Sequence, residues 1–267
     1  TFHSVANFLL RRYGRAIGLE SGFTILDRGD SEDLINFVRG QIGLTDTTKR
    51  FPRKRTIADM FSKCANTLQS LDDVLLNEYS HFEDYLEDLA KLQEVYESTK
   101  RTRQLVDYDD LLIRLRELLT IDKRARQMIS EMYRYILVDE YQDTNRLQAE
   151  VVRNLAATHD NVMVVGDDSQ SIYAFRGATF RNIMEFPNLF PGAQIFKLEE
   201  NYRSTQSVLE LANAIIEGAE EKYSKTLFTK KEGGEQPALV QAAGENPQSR
   251  LSLIHISEPT RLGMLSY

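Results

Sequence analysis

The chain has 267 residues, 42% hydrophobic and 27% charged, with a formal net charge of −7 and a single cysteine. That balance excludes a largely disordered chain and a disulfide-held scaffold, since Cys64 has no internal partner, and it supplies enough apolar side chain for one large domain or a few smaller ones. No apolar run approaches the roughly 20 residues of a membrane helix, so no membrane partner is expected and cytoplasm is the default compartment; the acidic balance gives no support to bulk nucleic-acid binding but says little about a local groove.

The chain opens at Thr1 without a methionine and without a signal-peptide pattern, so a preceding segment is expected. Over residues 5–18, Val5, Phe8, Leu9, Tyr13 and Ile17 recur at helical spacing, with Arg11, Arg12 and Arg15 on the opposite side. From Asp27 to Arg126 the pattern is helical and charged, carried by Leu34, Phe37 and Val38, then Ile57, Met60 and Phe61, then Phe82, Tyr85, Leu89, Leu92 and Tyr96, which reads as a helical insert. Inside it, Lys49 to Arg55 form a basic run broken by Phe51 and Pro52, either a solvated loop or a contact to a phosphate backbone. Cys64 sits among core positions and reads as a small buried hydrophobe. Asp107, Asp109 and Asp110 look like a metal cluster, but acids at a helix start cap free N–H groups and favour the dipole, which is the simpler reading.

Tyr135-Ile136-Leu137-Val138 is an apolar run of the kind buried on both faces of a parallel sheet, and it ends in the adjacent carboxylates Asp139 and Glu140. Such a pair often does no more than stop a strand; its company decides otherwise. Thr144 or Asn145 can cap a helix to about Ala157, and Asn161 to Asp168 repeat the design of an apolar strand ending in glycine and acids. Strand, helix, strand is the unit that makes parallel neighbours, so both acidic ends are expected at one sheet edge, where ligands bind in open α/β folds. The following segment is dense in recognition side chains: Gln170, then Tyr173 and Phe175, which can stack on bases, and Arg176. A third strand is expected at Ala193 to Leu198, leading to Tyr202 and Arg203 and then a helix capped by Ser204 or Thr205.

These stretches resemble the UvrD, Rep and PcrA group of superfamily 1 DNA helicases: Thr1 to Ser4 as motif Ib, Val138 to Asn145 as motif II, Val165 to Ala178 as motif III and Leu198 to Thr205 as motif IV. The resemblance covers roughly residues 1–248 and is weakest in the helical insert. It implies an α/β fold, a parallel-sheet RecA-like P-loop NTPase core (domain 1A, incomplete) with a helical insert (1B) and the start of a second RecA-like domain (2A). The implied boundaries are 1–26 and 127–197 for 1A, 27–126 for 1B and 198–248 for 2A. Residues 249–267 are set aside as a tail resembling a translated sequencing adapter, the alternative being an alternating edge strand.

The resemblance further implies ATP and Mg²⁺ as nucleotide and metal: Asp139 would hold Mg²⁺, Glu140 would polarise the attacking water, Gln170 would sense the γ-phosphate, Arg203 would serve as an arginine finger and Tyr202 would stack on adenine. Thr1, Phe2 and His3 would lie along the DNA backbone, Tyr173 and Phe175 would stack on bases, and Arg176 would contact DNA or couple the two sites. Phe175 stands where the best-known members carry tryptophan. The implied partner is single-stranded or partly duplex DNA, with repair or recombination proteins as further candidates and 3′ to 5′ movement as the family's habit. The chain contains no Gly-x-x-x-x-Gly-Lys-Ser/Thr loop and no match to the family's motifs V and VI, so it is expected to be inactive alone. Three other readings stand beside this one: a helicase subunit of a recombination nuclease-helicase, a non-catalytic nucleic-acid-binding module, and a two-metal nuclease using Asp139, Glu140, Asp143, Asp167 and Asp168. The last lacks a Glu-x-Lys pattern and leaves Gln170, Tyr202 and Arg203 idle.

Overall fold

The computed structural model describes residues 1–44, 51–171, 181–219, 223–241, 243–246 and 249. They fall into two compact units, Thr1–Ile195 and Phe196–Tyr267.

In the first unit, helix α1 (Phe2–Tyr13) starts where the Thr1 hydroxyl accepts the Ser4 N–H at 3.2 Å, and it buries Ala6, Leu9 and Leu10. Arg11, on the basic face, folds back to bond the Ser21 carbonyl at 2.7 Å and stacks 4.3 Å from the Phe23 ring centre. Strand β1 (Thr24–Ile25) then pairs in parallel with β2 (Leu105–Val106), so the chain departs and returns at one place. Between them lie α2 (Arg28–Gln41), α3 (Lys54–Thr67), α4 (Leu71–Glu78) and α5 (Leu86–Thr102). Asp27 with Asp30, and Ser70 with Asp73, form reciprocal caps that satisfy the first free N–H groups of α2 and α4. These helices close on a core of their own, including Ile35, Val38, Ile57, Met60, Leu75, Leu89, Leu92 and Cys64, whose thiol burial pushes up to about 11. From the basic run, Phe51 is buried beneath the Arg39 guanidinium and Lys54 pairs with Asp33; Lys49 and Arg50 lie outside the described residues.

Helix α6 (Tyr108–Ile121) and the first residues of α7 (Lys123–Met132) fall within the insert as read in the sequence, but both helices pack on the other layer. Leu111, Leu112, Leu115, Leu118 and Leu119 of α6 share one cluster with Ala6, Leu9 and Leu10 of α1 and Leu147 and Val151 farther on. Asp107 caps α6 reciprocally with Asp110, in line with the capping reading of this acidic run.

Strand β3 (Ile136–Val138), helix α8 (Arg146–Leu155) and strand β4 (Val162–Val164) form the expected strand–helix–strand unit. The strands are parallel, with Ile136 opposite Val162, Leu137 opposite Met163 and Val138 opposite Val164. Asn145 caps α8 through a reciprocal bond pair with Gln148. The sheet is not buried on both faces, however. Val138 packs with Ala149 and Val152 of α8, with Tyr141, and with Phe186 and Phe190, which belong to or follow helix α9 (Arg181–Leu189), whereas Leu137 is 72% and Met163 56% exposed. Alternation sends successive side chains to opposite faces, and among the described residues only one face has a layer on it. The third strand expected at 193–198 does not form either. A strand needs a paired neighbour, and this stretch makes no ladder among the described residues; Phe196 and Leu198 are exposed. In the second unit, helix α10 (Gln206–Glu217) packs its Leu209, and one isolated parallel bridge joins Glu200 to Phe228. Among the described residues no helix is long and apolar enough to cross a membrane.

One charged group is buried where the two cores of the first unit meet. Lys100, 2% exposed, places its ammonium 2.7 Å from Asp107, 2.7 Å from Asp110 and 2.9 Å from Glu97, beneath the Tyr96 ring. Burial opposes its charge, but the carboxylates outweigh burial and raise its pKa. Burial also works against ionised Asp107, and there Lys100 prevails and lowers the pKa. For Asp110, burial and the charge of Asp107 push the carboxyl up to about 7. An unfolded aspartate titrates near 3.9, so between those values the folded chain holds a proton that the unfolded chain has released. This group therefore weakens the fold progressively as pH rises through that window, and its full penalty is present above it. Asp110→Asn removes the titration while keeping an acceptor for Lys100; the melting temperature of the variant, followed from pH 4 to 8, should fall less toward neutrality than that of the parent chain, and parallel curves would contradict the assignment.

Candidate active site

The ladder between β3 and β4 continues past their ends, with the Val165 N–H on the Val138 carbonyl at 2.8 Å and the Tyr141 N–H on the Val165 carbonyl at 2.9 Å. Asp139 and Glu140 are looped out between these two bonds. To make that loop, Glu140 takes left-handed backbone angles, φ 51° and ψ 45°. A non-glycine residue there costs on the order of 1 kcal/mol, so the surroundings must hold it. Part of the hold is local: an Asp139 carboxylate oxygen accepts the Glu140 N–H at 3.0 Å.

The rest comes from Gln142, which the sequence reading passed over. Its side chain is buried, its Nε2 donates to the Glu140 carboxylate at 2.7 Å, and its Oε1 accepts the Asp167 N–H at 3.0 Å. One amide thus spans the ends of both strands. Gly166 makes room for it, since a Cβ at that position would stand 2.5 Å from Gln142 Oε1 and 2.8 Å from Ile183 Cδ1. From Asp167 the line continues, its second oxygen accepting Gln170 Nε2 at 2.8 Å. Glu140 and Gln170, placed at two strand ends by the sequence, are joined through Gln142 and Asp167 by three hydrogen bonds, the middle one made by the Asp167 backbone N–H. A glutamine in a polar turn carries no signal of its own; the glycine directly after the second strand was the available hint.

Asp139 remains exposed beside this line. Among the described residues no three His, Cys, Asp or Glu side chains converge on a metal position. Asp139 is an exposed carboxylate at this edge, of the kind magnesium commonly takes together with phosphate oxygens and water.

At the other expected positions, Thr1 is spent on capping α1, and Phe2 is half-buried against the clusters on either side of that helix. His3 meets the Tyr108 ring edge-on at 5.9 Å, and burial lowers its pKa against the pull of Asp109. Tyr173, Phe175 and Arg176 lie outside the described residues. In the second unit, Asn201 Oδ1 accepts the N–H groups of Arg203 and Ser204 at 2.9 and 2.7 Å, a tight turn that leaves Tyr202 81% exposed. Thr205 occupies the cap position of α10 without a side-chain bond to it, so Asn201 rather than Ser204 or Thr205 shapes this entry.

Residues 1–191 match the model of the UvrD/REP helicase N-terminal domain, and residues 196–261 match that of the UvrD-like helicase C-terminal domain. Together with the short parallel strands, these matches define an α/β helicase core of the RecA-like class. The chain belongs to the UvrD/REP helicase family. It is 35% identical over 267 residues to the ATP-dependent DNA helicase PcrA of Leuconostoc citreum, covering all of this chain and 35% of that protein. To DNA helicase II of Haemophilus influenzae it is 35% identical over 260 residues, 97% of this chain and 34% of that protein. With the ATP-dependent DNA helicase UvrD1 of Mycobacterium bovis the identity is 35% over 258 residues, 94% of this chain and 33% of that protein. The chain therefore spans about a third of the length of the curated relatives it matches.

Gln142→Ala leaves the Asp167 N–H and the Glu140 carboxylate without this partner and should cost about 1–3 kcal/mol in chemical unfolding. Gly166→Ala should cost a similar amount by displacing the same side chain, and the double variant should lose less than the two losses added, because both break one contact. Full additivity would mean that Gln142 does not occupy this position.

Proposed function

We propose that this chain is part of an ATP-driven DNA helicase that translocates on single-stranded DNA from 3′ to 5′. The observation that carries the reading is the bonded line from Glu140 to Gln170, which sets a carboxylate and a carboxamide at one sheet edge. The names of the relatives, ATP-dependent DNA helicases, agree with it. In this reading residues 1–26 and 107–197 belong to domain 1A, the helices α2–α5 between β1 and β2 form the 1B insert, and the residues from 198 on begin domain 2A.

Glu140 accepts a proton from the water that attacks the γ-phosphorus of ATP while the bond to the bridging oxygen breaks, yielding ADP and phosphate. Its carboxylate is aimed by Gln142, so the same amide that offsets the turn's strain orients the base. Gln170 contacts the γ-phosphate, and its bond to Asp167 passes that contact back toward Glu140. Asp139 is the residue that would hold magnesium, which supplies charge neutralisation on the phosphate oxygens when bound. Arg203 takes the role of the arginine finger and Tyr202 that of the residue stacking on adenine, both carried by the resemblance of residues 198–205. Thr1, Phe2 and His3 follow the DNA backbone, Tyr173 and Phe175 stack on unstacked bases, and Arg176 contacts DNA or couples the two sites. Because these 267 residues contain no Gly-x-x-x-x-Gly-Lys-Ser/Thr loop, the chain alone lacks the backbone cradle for the phosphates and turns over no ATP.

Glu140→Gln in the full-length protein is the test. A glutamine there still accepts the Gln142 amide, so ATP and single-strand affinities should stay near wild type while DNA-stimulated kcat falls at least about 100-fold. Unchanged turnover would remove Glu140 from the role of base.

A further inference from the structure

A second hydrogen-bonded line reaches the same turn from the helical insert. Asn66, near the end of α3, receives Asn145 Nδ2 on its Oδ1 at 2.6 Å and donates its own Nδ2 to Asp109 at 2.8 Å and to the Ser62 carbonyl at 2.9 Å. The direction of this line is fixed by its ends. Asn145 Oδ1 is taken by the Gln148 N–H, which can only donate, so Asn145 must offer its NH₂ group to Asn66. At the far end the Ser62 carbonyl can only accept, so Asn66 must present its own NH₂ group there. Neither amide can turn over without breaking a bond at both of its ends.

The line connects places that otherwise serve different purposes. Asn145 closes the turn that begins at Glu140, and next to it Thr144 is held from the other side by Asn182 at 2.8 Å. Asp109 lies at the start of α6 and acts electrostatically on His3, which the functional reading above sets along the DNA backbone. His3, Asn66, Asp109, Asp143, Asn145 and Gln148 all line one cavity of about 770 Å³, and one Asp143 carboxylate oxygen is buried beside it without a hydrogen-bond partner among the described residues. Room next to a directed line of bonds lets the insert shift against the turn without a clash, which a solid core would prevent.

We propose that Asn66 is a positioning residue that couples the helical insert to the hydrolysis site, so that displacement of the insert by DNA is passed through Asn145 to the turn carrying Glu140. This rests on the reading of Glu140 as the base of a DNA-stimulated ATPase. The experiment compares Asn66→Ala, Asn66→Asp and the exchange Asn66→Asp/Asp109→Asn in the full-length protein, by ATP hydrolysis with and without a single-stranded oligonucleotide and by thermal melting. Asn66→Ala should lower the maximal DNA-stimulated rate about tenfold, with KM for ATP and the DNA-free rate retained. Asn66→Asp, which sets two carboxylates face to face, should do the same, and the exchange should recover most of the stimulation because Asn at 109 can donate where Asn66 did. Stimulation within about twofold of wild type in Asn66→Ala would overturn the proposal. So would an equal fall of the DNA-free rate, or an exchange variant no better than Asn66→Asp. A wild-type protein without DNA-stimulated hydrolysis would instead defeat the functional reading beneath it.

Discussion

The amide of Gln142 is the contact on which the site depends. Two parallel strands ending in acids would, left alone, push their carboxylates toward water and toward different rotamers. A single buried amide that donates to Glu140 and accepts from Asp167 fixes both ends relative to each other, because its one donor-acceptor axis has one acceptable orientation. Burial makes the arrangement stringent: with water excluded, losing either partner leaves a polar group unsatisfied. Gly166 is the backbone's part in this, a residue without a side chain where any other would displace the amide.

The same logic holds the insert. It closes its own apolar core, and it is anchored where it leaves and returns by the β1–β2 pair and by Lys100 amid three carboxylates. Ion pairs this buried add little net stability, since desolvation offsets attraction, but they tolerate few alternative geometries. Apolar packing gives each layer its stability, and polar contacts at Lys100, Asn66 and Gln142 set how the layers of the first unit register.

What the sequence made legible follows from what is local. Capping side chains at Asp107 and Asn145 announce helix starts because the cap bond spans three residues. The βαβ unit was readable because a dozen polar-apolar residues between two β-branched runs can close only one way. Burial of β3 and β4 was overestimated, because an apolar run reports a capacity to be covered and not the presence of a cover; Leu137 and Met163 have the capacity alone. The missing strand at 193–198 is the same error in hydrogen-bond form. Helix α6 was assigned to the wrong layer by continuity of pattern, since periodicity shows which face is apolar and not which neighbour meets it. Gln142 and Asn66 were invisible for a different reason: their partners are 25 and 79 residues away.

The left-handed backbone at Glu140 sets folding and chemistry against each other at one residue. Glycine would relax that turn and would be preferred there by any scheme that ranks residues on stability alone. It would also erase the carboxylate that the turn exists to display. A redesign of this protein toward higher thermal tolerance would therefore meet its most tempting improvement at the one position where accepting it leaves a well-folded and chemically silent chain.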